Sequence, residues 1–574
     1  MWQAGWSRTE IGVKAQGYAM MGYGMWHNRA RGHDTPLYAR AFALRDAAGR
    51  TLWFACLDLG YITYAMRSGV LAGLRATLGD SVEDALLVLT CTHTHSGPGG
   101  CTHDALYNVV TPGFVPENLD AVVSATVDAL LAAHAGLAPT GLSLHQGEFG
   151  LHVPVAWNRS LRAYNRNPDV TPQPETNAHA ALDRRMPVLG FYRDGRLEAM
   201  LSLFGVHATC VGNTLDKYSG DNKGYASMNV EQRWREDGIE NAVAVFAQAT
   251  AGDVSPHYHG PGDVARRARI TGQAEYEYAA NNGRLQAEEA LSVLASPGVT
   301  LEGGLDGLLS YADFSRQHAD PRFANGHPEA LTSDPCHGVA FFTGTRVDGP
   351  GMPTLLGKAA AGIARRLRAS RLRPGSPLSA SEREYYRRLY AAQGPKDILL
   401  EAGRKRILGR ALDALPLPGF VDPLVGELKR QAAAGAIRES ALVPTVLPVQ
   451  LVRIGGLALV CCPGEFTTTA GRRVVATVRE ALGAAVDDVL ICTYCNDYMG
   501  YVTTREEYQE QAYEGGHTIF GQWTLAAFQT RFDALARESL KPVGERHHDT
   551  HTRPLPAPPE ELARRTNVPV PRRA

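Results

Sequence analysis

Apolar residues fall in short runs separated by Gly, Pro, Asn and Asp, with stretches of helical period between them. Leu37-Tyr38-Ala39-Arg40-Ala41-Phe42 and Leu52-Trp53-Phe54-Ala55-Cys56-Leu57 flank a turn at 46–49, so residues 36–60 are predicted as two strands around a turn. Val70, Leu71 and Leu74 give helical spacing over 66–78, and the apolar run 85–91 reads as the next strand. Strand, helix, strand is the pattern of a crossover between parallel strands. A helix follows at 119–134, then a hairpin over 187–204 around Asp194-Gly195. A helix starting near Ser227, a strand at 242–246 and a helix over 262–296 come next. Residues 340–352 read as a strand and a Gly-rich turn. The last elements are a hairpin around Gly455-Gly456, a helix from near Thr469 and a strand at 488–493. Residues 365–440 are basic and rich in Arg and Ala, with helical spacing at 384–393, 404–414 and 422–436. They read as a lid or interaction face, or, as we favour, a solvated helical excursion. The fold class is α/β: one domain over 1–540 with a large mixed β-sheet core flanked by helices. Residues 541–574, rich in His, Pro and Arg, are expected to form a loosely ordered tail.

The chemistry gathers where these strands end. The run 85–91 leads into Cys91-Thr92-His93-Thr94-His95-Ser96-Gly97-Pro98-Gly99-Gly100. Residues i and i+2 of a strand share a face, so His93 and His95 are expected to point the same way. The return strand of the 187–204 hairpin ends in Gly205-Val206-His207. The strand at 242–246 leads to Gly252-Asp253-Val254-Ser255-Pro256, where Ser255 is a nucleophile, a positioning hydroxyl or a plain Ser-Pro turn. A further strand end carries Glu465, as a ligand or as a helix N-terminal charge, and the last leads to Tyr498 and Tyr501. Two histidines and a carboxylate form a catalytic zinc set that leaves a position for water.

Composition narrows the class. Lys plus Arg is 58 and Asp plus Glu 59, for a net charge of −1, so the bulk charge argues for neither nucleic acid nor an anionic membrane. No apolar run reaches membrane-span length. The N-terminus has neither the basic nor the apolar region of a signal peptide, so a cytoplasmic location is expected. Nine scattered cysteines read as reduced thiols. Cys492-Thr493-Tyr494-Cys495 has no second pair at zinc-finger spacing.

The sequence resembles the neutral/alkaline (non-lysosomal) ceramidases over most of residues 5–540. The matching stretches include Met20-Met21-Gly22-Tyr23, Thr92 to Gly100, Asn158-Arg159-Ser160, Ser219 to Ser227, Gly252 to Pro256, Asp348 to Gly351, Pro463 to Arg472 and Tyr501 to Gly516. The resemblance implies a zinc amidase that hydrolyses the N-acyl bond of ceramide or a ceramide-like lipid by a metal-activated water. Carried over by position, His93, His207, Glu465 and Tyr501 would hold Zn2+. His95 would handle protons or hold a substrate hydroxyl, and Arg159 and Tyr513 would hold the carbonyl oxygen as it gains charge. Ser255 is the family's essential serine, read here as a positioning group. The family's C-terminal β-sandwich is expected to be absent, and His257 stands where the family usually has Asn. These departures keep a second reading open: a cytoplasmic member acting on another N-acyl substrate, by hydrolysis, amide formation or cyclisation. A non-catalytic lipid- or partner-binding scaffold and a metal-free serine hydrolase using Ser255 are the rivals from other classes.

Overall fold

The computed structural model describes residues 2–109, 111, 113–258, 270–345, 347–415 and 423–566. The apolar runs pair into two stacked sheets. The larger is built from β1 (Trp2–Glu10), β2 (Tyr38–Arg45), β3 (Thr51–Leu57), β4 (Leu87–Cys91), β5 (Ala138–His145), β6 (Val188–Arg193), β7 (Arg196–Leu203) and β8 (Val243–Ala247). Its order is β8-β7-β6-β5-β1-β2-β3-β4, with Val299–Thr300 paired on β5. The smaller contains β9 (Leu305–Asp313), β10 (Val446–Ile454), β11 (Leu457–Cys461) and β12 (Asp488–Cys492), in that order. The helices used below are α1 (Tyr64–Leu78), α2 (Pro116–Ala135), α3 (Asp221–Glu236), α4 (Gln273–Leu294), α5 (Val339–Thr343), α6 (Thr354–Leu372), α7 (Ala380–Gln393), α8 (Pro423–Ala433), α9 (Thr468–Leu482), α10 (Tyr513–Gly516) and α11 (Thr524–Ser539).

Alternation along each strand sorts side chains between layers. In β3, Leu52, Phe54 and Cys56 join Leu457, Leu459 and Ile454 between the sheets, whereas Trp53, Ala55 and Leu57 meet Val70, Leu74 and Leu130 of α1 and α2. The strand is therefore apolar throughout, as a strand buried on both faces must be. Small residues let the outer helix close: a Cβ on Gly5 would lie 2.0 Å from the Ala133 carbonyl oxygen of α2. Helices α3 and α4 cover the rest of that face, and α9 and α11 cover the outside of the smaller sheet. The mixed sheet flanked by helices is as expected. In addition, the larger sheet's inner face is covered by a second sheet, giving four layers.

Three parallel pairs set the polarity of the molecule: β3 with β4 through α1, β7 with β8 through α3, and β11 with β12 through α9. The carboxyl ends of these strands open on one edge, where loops of open α/β sheets build their sites.

Several expected elements differ. The helix placed near Ser227 begins at Asp221, with the polar run 221–223 inside its first turn. The strand expected in 340–352 is the short helix α5 followed by a hairpin of Gly344–Thr345 with Gly349–Pro350. Residues 404–414 are not a helix but a short turn and a hairpin, Arg406–Ile407 with Arg410–Ala411, because Lys405 and Leu408 take left-handed φ values of 53° and 45°. Of the helix expected over 262–296, residues 262–269 lie outside the described residues, 270–272 are not helical, and α4 begins at Gln273 after Gly272 at φ 64°; residue 422 of the 422–436 helix also lies outside the described residues. Residues 541–566 are held to the body: Arg546 pairs with Asp306, Arg553 with Asp84, and Glu561 accepts the backbone N–H groups of Glu439 and Ser440. The rest of that predicted tail, 567–574, lies outside the described residues. All nine cysteines are buried free thiols.

Candidate metal centre at the strand ends

Beyond β4 the chain leaves the sheet at Thr92. His93 adopts φ 63°, a left-handed conformation that costs about 1–3 kcal/mol in a residue other than glycine. This kink, not the two-residue period of a strand, brings His93 and His95 together, with their Nε2 atoms 3.2 Å apart. His95 is accommodated by Gly22, where a Cβ would fall 2.3 Å from the His95 Cγ, and Tyr23 packs edge-on at 4.7 Å. His207 arrives from the end of β7 and meets His93 edge-on, with ring centroids 5.0 Å apart. Gln248 ties the two loops together, its amide donating to the Thr92 and Val206 carbonyls.

The ring orientations are fixed from behind. His93 Nδ1 lies 2.6 Å from the Gly60 carbonyl, and His207 Nδ1 lies 2.7 Å from that of Ala251. Each Nδ1–H therefore donates outward, and each Nε2 lone pair faces the centre. The smaller sheet supplies the counter-charge. Glu465 follows β11 and lies 3.4 Å from His93 Nε2 and 3.0 Å from His207 Nε2. Residues 465–466 pair in parallel with 501–502, which places the Tyr501 hydroxyl 3.1 Å from His207 Nε2.

Two imidazole nitrogens, a carboxylate and a phenol oxygen thus converge in one buried space. Donor atoms of His93, His95 and His207 lie within 4.8 Å of one another, a group that could hold a metal ion. Bonds of about 2.0–2.1 Å in a tetrahedral site separate ligand atoms by about 3.3 Å, close to the spacings here. Charge balance agrees. Burial would raise the Glu465 carboxyl, but positive charge on His93 and His207 would hold it well below the usual carboxylate range, a part that a cation between neutral imidazoles would take over. Burial, with His93 and His207 next to it, pushes His95 well down, so it stands as a neutral imidazole. Burial and then Arg159 lower His207. Burial and the Glu465 charge raise Tyr501 well above a free phenol, a direction that a cation among these ligands would oppose.

Around this centre lies a polar chain. Arg159 donates from Nη2 to Tyr501 Oη (3.0 Å) and the Gly252 carbonyl (2.9 Å), from Nη1 to Asp348 (2.9 Å) and from Nε to Glu514 (2.9 Å). Its charge is secure: burial alone would lower it, but Tyr501, Asp348 and Glu514 raise it. Four of its N–H groups are committed to the protein, so it positions Tyr501 more directly than a carbonyl-oxygen holder would. Ser255 Oγ donates to Asp348 Oδ1 at 2.8 Å and accepts from the His257 backbone N–H. His257 Nε2 faces the Thr209 carbonyl at 2.7 Å. Tyr513 stands beside Tyr501 with ring centroids 5.3 Å apart and lies within 5.7 Å of the Arg159 guanidinium.

All eight residues singled out from the sequence therefore gather at one edge. Sequence reasoning missed the roles of Asp348, Glu514 and Tyr494 and set Tyr498 aside. Tyr498 donates to Glu465 Oε1 (2.5 Å) and Tyr494 to Oε2 (3.3 Å), so both orient the carboxylate. The signal for Asp348 was its place in the Asp348-Gly349-Pro350-Gly351 turn. Glu514 was marked only by its neighbour Tyr513.

The chain matches the family described as neutral/alkaline non-lysosomal ceramidase, N-terminal, over residues 2–410 and 431–530. It is 33% identical over 542 residues to a neutral ceramidase of Pseudomonas aeruginosa, covering 93% of this chain and 71% of that protein. A neutral ceramidase of Mycobacterium tuberculosis is 31% identical over 536 residues, covering 92% and 75%. A solved structure described as ceramidase complexed with C2 superimposes with a TM-score of 0.75 at 31% identity, over 93% of this chain and 75% of that one. The crystal structure of the Pseudomonas aeruginosa neutral ceramidase gives 0.76 at 30% identity, over 99% and 78%.

Proposed function

Because the chain belongs to the neutral/alkaline non-lysosomal ceramidase family, a family of hydrolases, we propose that it hydrolyses the amide bond of ceramide or a ceramide-like N-acyl lipid with the help of a zinc ion. The observation that carries this reading is the convergence of His93, His207, Glu465 and Tyr501, with His95 alongside, from the ends of both sheets. His93, His207, Glu465 and Tyr501 would hold Zn2+, which would supply Lewis acidity toward an amide carbonyl and a water. His95, neutral and next to His93, takes the proton of the attacking water and returns it to the amine nitrogen as the C–N bond breaks. The products are a fatty acid and a free amine. Tyr513, whose ring stands beside that of Tyr501, is read as the group that holds the carbonyl oxygen as it gains charge, while Arg159, its N–H groups committed to the protein, positions Tyr501. Ser255 keeps Asp348 in place behind Arg159, a positioning role.

The test is metal content with hydrolysis assayed in parallel, on wild type and His93→Ala. The reading expects zinc in wild type and joint loss of zinc and ceramide hydrolysis in the variant. Full turnover by chelated, metal-free protein would overturn it and move the chemistry to Ser255.

A further inference from the structure

Helix α6 carries a face that the catalytic reading leaves unused. Among the described residues, nine large hydrophobic side chains are exposed, and Leu355 (81%), Leu356 (57%), Ile363 (49%) and Leu372 all lie on this helix. Leu355, Ala359 and Ile363 recur at four-residue steps with Leu356 beside them, which makes one outward stripe. The opposite side, with Gly357, Ala360 and Ala364, is buried. The helix is also charged in one sense: residues 354–373 contain six Lys and Arg and no Asp or Glu. Arg365, Arg368 and Arg371 are engaged by Asp397, the Gly394 carbonyl and Glu401. Lys358, Arg366 and Arg373 project outward.

The stripe sits beside the site. Gly357 rests on Thr343 and Val339 of α5, and Phe341 of α5 stacks at 5.7 Å from Tyr513. The loop that enters α6 carries Asp348, the partner of Arg159 and Ser255.

We propose that α6 is an interfacial helix that lies on an anionic lipid bilayer, with Leu355, Leu356 and Ile363 at the acyl boundary and Lys358 and Arg366 at the headgroups. Charge selects this occupant over a second copy of the chain, which would set one cationic helix against another. The link to catalysis, delivery of a lipid substrate to the adjacent site, rests on the amidase reading; the membrane contact does not.

The test uses the full chain with vesicles of phosphatidylcholine alone or mixed with phosphatidylglycerol, at low and high salt. Wild type is expected to sediment with the anionic vesicles, less so at high salt. Leu355→Glu/Leu356→Glu and Lys358→Glu/Arg366→Glu should each weaken this at least tenfold. Both variants should cleave a water-soluble short-chain N-acyl amide at the wild-type rate and the vesicle-embedded lipid at least tenfold more slowly. Absence of wild-type sedimentation with anionic vesicles, or equal sedimentation of the leucine variant, would overturn the proposal. A wild-type dimer that the leucine variant splits, with vesicle binding unchanged, would assign the stripe to self-association and overturn it too. Vesicle binding lost on mutation in a chain inactive on both substrates supports the helix assignment and counts only against the amidase reading.

Discussion

Ser255 is fully buried, and its hydroxyl points at a carboxylate. A nucleophilic serine needs a base that removes its proton, and the imidazole nearest in sequence, His257, turns its Nε2 to the Thr209 carbonyl. The hydroxyl instead donates to Asp348, which also accepts from Arg159, and Arg159 in turn donates to Tyr501. Ser255→Ala is expected to lower kcat/KM by about 10–100-fold, the usual effect of removing an outer hydrogen bond at a metal site, with zinc retained. A loss on the order of 10⁶-fold, with an acylated serine trapped in wild type and seen by mass spectrometry, would contradict this. Much of the residue-level site was legible in the sequence because polar side chains at the ends of apolar strands have few structural uses. The kink at His93 was not legible: a left-handed backbone in Thr-His-Thr-His leaves no mark in composition. Tyr494 and Tyr498 were hidden for a different reason, since three tyrosines within eight positions differ only in where a turn directs them.

Helix α3 shows how an element holds the site from below. Lys223 in its first turn is fully buried, and Nζ donates to the Phe204 carbonyl at 2.8 Å, next to the segment that carries His207. Burial pushes this amine from 10.5 down to about 7. The unfolded chain therefore binds a proton between about pH 7 and 10.5 that the native chain does not, so this group adds stability as pH rises across that window and loses it as pH falls to 7. Denaturant unfolding of wild type and Lys223→Met at pH 7, 8, 9 and 10 should show the difference growing in favour of wild type, by at most about 1.4 kcal/mol per pH unit. A difference independent of pH would mean that the amine is charged in the native state. The early start of this helix escaped the sequence reading because Ser219-Gly220-Asp221-Asn222 has the composition of a turn. Asp221 does take φ 53°, but its carboxylate caps Cys210 and Val211 rather than ending an element.

At the scale of the molecule, strands and crossovers were legible from hydrophobic period, while the pairing of those strands into two stacked sheets was not. Strands buried on both faces read alike whether a helix or a second sheet covers them, and only three-dimensional contact distinguishes Leu52 from Trp53. The stacking bears on metal removal. Without a cation, His93 and His207 remain tied to carbonyls and Glu465 still accepts from Tyr494 and Tyr498. Chelated protein is therefore expected to stay folded but melt at a lower temperature, with added Zn2+ restoring the transition by mass action. Circular dichroism melts with and without chelator check this, and loss of the folded signal on chelation at 25 °C would refute it.

The division of the centre between two sheets also imposes an order on biosynthesis. His93 and His207 leave the ribosome hundreds of residues before Glu465 and Tyr501 are translated. A nascent chain thus holds these two imidazoles without the Glu465 carboxylate until residue 465 is made. On the zinc reading, capture of the ion at full strength is a late event, tied to docking of the second sheet on the first, and a chain cut short of Glu465 lacks two of the four proposed ligands.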